Sequence, residues 1–213
     1  MKVIRLVSNK YFSSNTYIVI KSGHALIIDL GFYDKEFSSI LSDYKIDGVI
    51  LTHKHFDHIQ GLKEFQNEYS DVNIYTKENS SDFFVDSKLN CSFNMSSNGE
   101  LNYMPNNIVS LREENIKVGI FDLQILFTPG HSIDSICIIL EEENIFFSGD
   151  FIFNNSIGRM DLPTSNRMSM FNSLTKITPI LKRKNYLIYS GHDEEMITSE
   201  LLFKENAYLK RFY

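Results

Sequence analysis

The segment Thr52-His53-Lys54-His55-Phe56-Asp57-His58 constrains this chain more than any other. Three of the six histidines and one aspartate fall together here, straight after the apolar run Val49-Ile50-Leu51. Neutral imidazole and carboxylate are ligands for divalent cations, and several must converge on one ion. His53 and His55, at i and i+2, can point the same way from extended or turning backbone. Asp57 and His58 begin the next turn and can face a second ion. A loop between a strand and a helix suits this, because neighbouring side chains diverge there around a point. The bland alternative is an exposed histidine-rich turn, and the internal position after an apolar strand argues against it.

Three further apolar runs end in the same manner. Leu123 to Phe127 leads through Thr128-Pro129-Gly130 to His131; Ile145 to Phe147 leads through Ser148-Gly149 to Asp150; Tyr186 to Tyr189 leads through Ser190-Gly191 to His192. Glycine lets the chain turn sharply where a ligand must face inward, and strand-end loops are where layered folds carry their sites. A catalytic tetrahedral ion needs three protein ligands and a water. The set His53, His55, Asp57, His58, His131, Asp150 and His192 therefore fits two ions with one bridging carboxylate, an arrangement suited to hydrolysis. His24 starts a strand with no partner motif and is read as structural.

The rest of the chain reads as alternating strands and helices. Val3 to Val7, Thr16 to Lys21 and His24 to Leu30 look like three antiparallel strands. A helix follows around Phe37 to Tyr44, a strand at Gly48 to Thr52, a helix from Ile59 to Tyr69 and a strand at Val72 to Tyr75. Residues 79–107 are rich in Ser and Asn and read as a long loop with a short helix near Asp82 to Ser87. The segment either covers a site or is a surface excursion. Strands are expected at Ile108 to Arg112, Leu123 to Phe127, Ser135 to Leu140, Ile145 to Phe147 and Tyr186 to Tyr189. Helices are expected at Met168 to Leu181 and Ser199 to Arg211. Strands in runs with helices outside them suggest two packed sheets. Nothing marks a linker, so residues 1–213 are read as a single domain.

Composition removes several function classes. The net charge of −6 argues against general nucleic-acid binding. Two cysteines, Cys91 and Cys137, rule out a disulfide framework and make a thiolate metal site unlike this chain. No apolar run is long enough to cross a membrane, and the start has no h-region of a leader. The chain is expected to be cytoplasmic and to act on a small molecule.

These motifs resemble the metallo-β-lactamase superfamily. The matching stretches are His53-x-His55-x-Asp57-His58, Thr128-Pro129-Gly130-His131-Ser132, Ser148-Gly149-Asp150 and Gly191-His192, in the family's order. Leu26-Ile27-Ile28-Asp29-Leu30-Gly31 is similar to its early strands. The resemblance implies an α+β fold, an αββα sandwich with two mixed sheets flanked by helices and metals at one edge. Gly158-Arg159-Met160-Asp161-Leu162-Pro163 and Glu205-Asn206-Ala207-Tyr208-Leu209 look most like the short glyoxalase II-like (hydroxyacylglutathione hydrolase-like) group. Ile59-Gln60-Gly61 and Asp193-Glu194-Glu195 depart from its usual glycines.

By that resemblance His53, His55 and His131 hold one metal, Asp57, His58 and His192 the other, and Asp150 bridges. A hydroxide between the ions is the nucleophile, with Asp57 orienting it as the catalytic carboxylate. Zinc is the first expectation; iron and manganese suit the same donors. Arg159 is read either as a partner for a substrate carboxylate or as an ion pair with Asp161. The implied activity is hydrolysis of a hydroxyacyl-type thioester. The alternative on the same scaffold is a persulfide dioxygenase with one iron on His53, His131 and Asp150.

Overall fold

The computed structural model describes residues 1–8, 13–94 and 100–212. The chain divides into two compact units, Met1–Arg112 with Lys117–Phe121, and Glu113–Ile116 with Asp122–Tyr213. Its strands form two mixed six-stranded sheets, and helices flank them.

The first sheet has the order β1 (Lys2–Val7), β2 (Asn15–Lys21), β3 (His24–Ile28), β4 (Lys45–Ile50), β5 (Ile74–Lys77), β6 (Ile108–Leu111). The first three strands are antiparallel, as their short β-branched runs and turn residues lead one to expect. From β3 to β6 the pairing is parallel. Parallel pairing requires crossovers, and α1 (Lys35–Leu41) sits between β3 and β4. Asp34 caps α1 by accepting from Phe37 N at 2.9 Å. Phe37 and Leu41, one turn apart, join Ile18, Ile27, Val49 and Ile74 in the core. Ile28 pairs with Ile50 in register. The residues after β3 and after β4 therefore leave the sheet side by side at one edge.

The helix expected from Ile59 to Tyr69 is two pieces, α2 (Phe56–Ile59) and α3 (Leu62–Glu68). The apolar period runs through both, so periodicity alone cannot show the break. Gly61 explains it: a Cβ there would lie 2.4 Å from the carbonyl carbon of Phe32. The strand end 30–32 is wedged into this gap. Leu30 N donates to His58 O at 2.8 Å and Gly61 N donates to Leu30 O at 3.0 Å. The short helix expected near Asp82 to Ser87 is a 3₁₀ turn, Ser81–Phe84. Beyond it the chain is organised by the buried Asn90, whose side chain donates to Phe83 O (2.9 Å) and Leu101 O (3.2 Å). Part of the expected long loop, residues 95–99, lies outside the described residues.

The second sheet has the order β12 (Ile197–Thr198), β11 (Leu187–Ser190), β10 (Ile145–Gly149), β9 (Ile136–Leu140), β8 (Phe121–Phe127), β7 (Asn115–Val118). Strands β10 and β11 pair in parallel, and α4 (Arg167–Arg183) supplies their crossover. Asn166 caps α4, accepting from Ser169 N at 2.8 Å. Met170, Leu174, Ile177 and Leu181 form its apolar stripe and pack with Cys137, Ile139, Phe146 and Tyr186. Strands β7 and β12 are absent from the sequence reading. β12 is two residues long, and β7 alternates polar and apolar residues over only four positions, so neither run is long enough to stand out.

The last helix, expected to reach Arg211, stops at Glu205: α5 spans Ser199–Glu205. Asn206 ends it. Its backbone is extended, and its Oδ1 accepts from Tyr208 N and Leu209 N. Its Nδ2 donates to Phe153 O and Ser156 O at 2.8 and 2.7 Å. A 3₁₀ turn, Leu209–Phe212, follows.

Candidate metal centre

Within the first unit, the Thr52–His58 segment begins where β4 runs out. Thr52, His53, Lys54, His55, Asp57 and His58 are all buried. His55 is extended (φ −66°, ψ 147°) and stands at the N-terminus of α2, so the chain turns from loop to helix between the second histidine and Asp57. The partner of this loop is Asp29, at the end of β3. Asp29 adopts φ +57°, a left-handed conformation that a short polar side chain tolerates. Its Oδ1 accepts from Thr52 N at 2.7 Å; its Oδ2 accepts from Thr52 Oγ1 at 2.7 Å and from His58 Nδ1 at 2.9 Å.

These bonds fix ring tautomers. A carboxylate only accepts, so His58 carries its proton on Nδ1, and the lone pair of the neutral ring sits on Nε2. That Nε2 faces Asp57 Oδ2 at 3.7 Å. The Thr52 hydroxyl gives its proton to Asp29 and accepts from His53 Nδ1 at 3.2 Å, which puts the His53 lone pair on Nε2 as well. The His53 ring centre is 4.6 Å from that of His55 and 4.3 Å from that of His58. Donor atoms of His53 and His55, of His53 and His58, and of Asp57 and His58 lie within 4.8 Å of each other.

Within the second unit, His131 and Asp150 are buried and His192 is half-buried. His131 Nδ1 donates to the backbone carbonyl of Arg159 at 3.0 Å. A carbonyl is also acceptor-only, so His131 Nε2 carries the lone pair, and it faces Asp150 Oδ2 at 3.5 Å. His192 Nε2 lies 3.2 Å from the same oxygen. Gly158 permits this approach. A Cβ on it would lie 2.0 Å from Asp150 O and 2.8 Å from His131 Cβ. Asp193 braces the His192 loop by accepting from Ser190 Oγ (2.8 Å) and Asn154 N (2.7 Å).

Each unit thus sets an imidazole lone pair against a carboxylate oxygen. Two acceptors facing each other attract only with a cation between them, either a further proton or a metal ion. The donors are imidazole and carboxylate, with the outer ring nitrogens held by carboxylate, hydroxyl and carbonyl. That is the pattern by which proteins orient metal-bound histidines, and it fits zinc, iron or manganese. Cys137 contributes nothing here: it lies in the core and burial pushes its thiol up to about 12. The first unit offers His53, His55, Asp57 and His58; the second offers His131, Asp150 and His192.

The exposed guanidinium of Arg159 makes two bonds to Asp161, Nε to Oδ1 at 2.7 Å and Nη2 to Oδ2 at 2.8 Å. These bonds hold the Asp161 carboxyl below its usual range. Tyr33 packs its ring against Phe37 and Phe65 at 5.4 and 5.5 Å. Asp29, Thr52 and Lys54 are absent from the sequence-derived site. The one available signal was a carboxylate ending the wholly apolar Leu26-Ile27-Ile28.

The family model of the metallo-β-lactamase superfamily matches residues 10–192. A probable metallo-hydrolase of Bacillus subtilis, YqgX, is 30% identical over 184 residues, covering 85% of this chain and 86% of its own. A hydroxyacylglutathione hydrolase of Francisella tularensis subsp. novicida is 25% identical over 183 residues; the match covers 84% of this chain but only 64% of that enzyme. Among solved structures, the BLEG-1 B3 metallo-β-lactamase superposes with a TM-score of 0.87 at 24% identity, over 98% of this chain and 99% of that one. TTHA1623, solved in a di-iron-bound form, gives 0.80 at 23%, over 97% and 100%. With two mixed sheets flanked by helices and a family match across both units, the chain belongs to the metallo-β-lactamase superfamily.

Proposed function

We propose that residues 1–213 act as one domain in which the two donor sets serve a single binuclear metal centre, and that the protein is a metal-dependent hydrolase of a hydroxyacyl-type thioester. The observation that carries the reading is the contact of His58 Nδ1 with Asp29 and of His131 Nδ1 with the Arg159 carbonyl, which leaves each Nε2 turned towards a carboxylate oxygen. His53, His55 and His131 would hold the first ion, Asp57, His58 and His192 the second, and Asp150 would bridge. Zinc is the first assignment. Bound divalent ions would supply a water acidic enough to attack near neutral pH and would polarise the scissile carbonyl.

The protein's own residues do the rest. Asp29 and the Arg159 carbonyl hold the ring protons of His58 and His131 away from the centre, so neither ring must shed a proton to act as a donor. Asp57 orients the attacking water as the catalytic carboxylate. The guanidinium of Arg159, resting on Asp161, is available to exchange that partner for a substrate carboxylate. The thioester class is supported by the hydroxyacylglutathione hydrolases among the relatives.

The test is a panel of hydroxyacyl thioesters with released thiol followed by colour. The metal-loaded protein is expected to cleave at least one, to lose activity to a chelator and to recover it with added metal. Asp150→Asn should lose at least about 10²-fold in kcat, because a bridging ligand without its charge would hold less firmly the ions that stabilise the developing oxyanion. Arg159→Ala should raise KM for carboxylate-bearing substrates and leave kcat alone. A metal-loaded protein inert to every acyl thiol would refute the thioester assignment.

A further inference from the structure

Between the two histidines His53 and His55 stands a lysine that is fully buried. Lysine is almost never buried unless its charge is accommodated, and Lys54 has a built cradle. Its ammonium donates to Thr76 Oγ1 and Ser80 Oγ, both at 2.6 Å. It also lies 5.5 and 5.6 Å from the ring centres of Phe83 and Phe84, where the negative faces of the aromatic rings attract a cation. Ser80 Oγ in turn donates to Lys77 O. The cradle thus comprises the end of β5, the residues just beyond it and the 3₁₀ turn Ser81–Phe84.

The geometry separates the two directions in which this loop projects. The rings of His53 and His55 meet edge to face at 4.6 Å. The intervening side chain leaves for residues that are not metal donors. Burying an ammonium is costly, and an apolar side chain of similar length would fill the same space at less cost. Stability alone therefore does not account for a lysine here. What the ammonium provides and a methionine cannot is a directional tie from the middle of the His-x-His segment to β5.

We propose that Lys54 is a positioning residue of the metal centre: its buried ammonium anchors the His53–His55 backbone to β5 and the following turn, and so sets the angle at which the two histidines meet an ion. This rests on the reading of His53 and His55 as metal ligands. Asp29 holds the same loop through Thr52 and His58; Lys54 holds it at the residue between the paired ligands.

The test uses Lys54→Met in the full chain, with two readouts. In the metal-free protein, amide exchange at residues 53–55 should rise against wild type while the thermal midpoint stays level or rises. In the cobalt(II)-loaded protein, the visible ligand-field bands should shift, and one ion per chain should bind about tenfold more weakly, the size seen when an outer partner of a metal ligand is lost. Thr76→Val, which keeps the lysine and removes one acceptor, should shift the same bands in the same direction. Should Lys54→Met fail to fold, the Thr76→Val spectrum decides.

Native bands, native cobalt affinity and native exchange in these variants would overturn the anchoring role and leave the metal reading intact. A wild-type protein that takes up no cobalt would overturn the metal reading and this inference with it.

Discussion

Replacing Asp29 by Asn is the sharpest perturbation of the loop that carries the first donors. The substitution keeps shape and tolerates the left-handed backbone at φ +57°, since Asn adopts that conformation as readily as Asp. What changes is the charge and the hydrogen bonding. The carboxylate accepts three bonds, from Thr52 N, Thr52 Oγ1 and His58 Nδ1. If the amide nitrogen takes the Oδ2 position, the Thr52 hydroxyl can turn and accept from it. His58 Nδ1–H then faces a donor, and either loses its bond or moves its proton to Nε2, which removes the lone pair directed at Asp57. If the amide is flipped instead, the Thr52 amide loses its acceptor.

Either way one charge-assisted bond to a buried donor is lost, at about 2–3 kcal/mol. For a chain of this size that is a fall of about 5–10 °C in Tm. The affinity for at least one metal ion should fall by about 10- to 100-fold through the misoriented His58. Urea unfolding of the metal-free protein measures the first quantity, and competition with a chromophoric chelator the second. A variant that unfolds like wild type and binds metal with native affinity would refute the hydrogen-bond reasoning, because no arrangement of an amide satisfies all three donors while the His58 proton stays on Nδ1.

Other consequences follow from single contacts. Gly158→Ala places a methyl 2.0 Å from Asp150 O and 2.8 Å from His131 Cβ, so both donors must move; a loss of about 1–3 kcal/mol in chemical denaturation should accompany weakened metal binding, and native metal affinity would refute it. Cys137 has its thiol raised to about 12 from 9.0 by burial. The native state therefore keeps its proton between those values while the unfolded chain loses it, and stability should fall with rising pH there by about 1.4 kcal/mol per unit. In Cys137→Ala the slope should shrink by that amount, and the tyrosines whose hydroxyls burial raises keep the remainder. In the native protein at pH 8, Cys137 should resist a thiol reagent and react only after unfolding.

The candidate donors are legible in the sequence because their signal is local: a dense His-x-His-x-Asp-His segment and three apolar runs that each end in glycine and a ligand-type residue. The strands around them were legible for the same reason, since continuous runs such as Ile136–Leu140 carry their own pattern. What stayed hidden depends on contacts distant in sequence. Asp29 acts through residues 23 and 29 positions away. The break at Gly61 is decided by the backbone of Phe32, and the end of α5 by the bonds of Asn206 to Phe153 and Ser156. The burial of Lys54 has no signal in the sequence, because a lysine beside polar residues reads as solvent-facing. The region after β5 shows no period because side-chain bonds such as those of Asn90 organise it.

Metal content per chain tests the central claim most directly, measured by elemental analysis of the full-length protein purified without oxygen. The account predicts about two divalent ions per chain, falling when either Asp57 with His58 or His131 is replaced by alanine. About one iron per chain, unchanged when Asp57, His58 and His192 are replaced together, would contradict the binuclear hydrolase and make the mononuclear dioxygenase the working description.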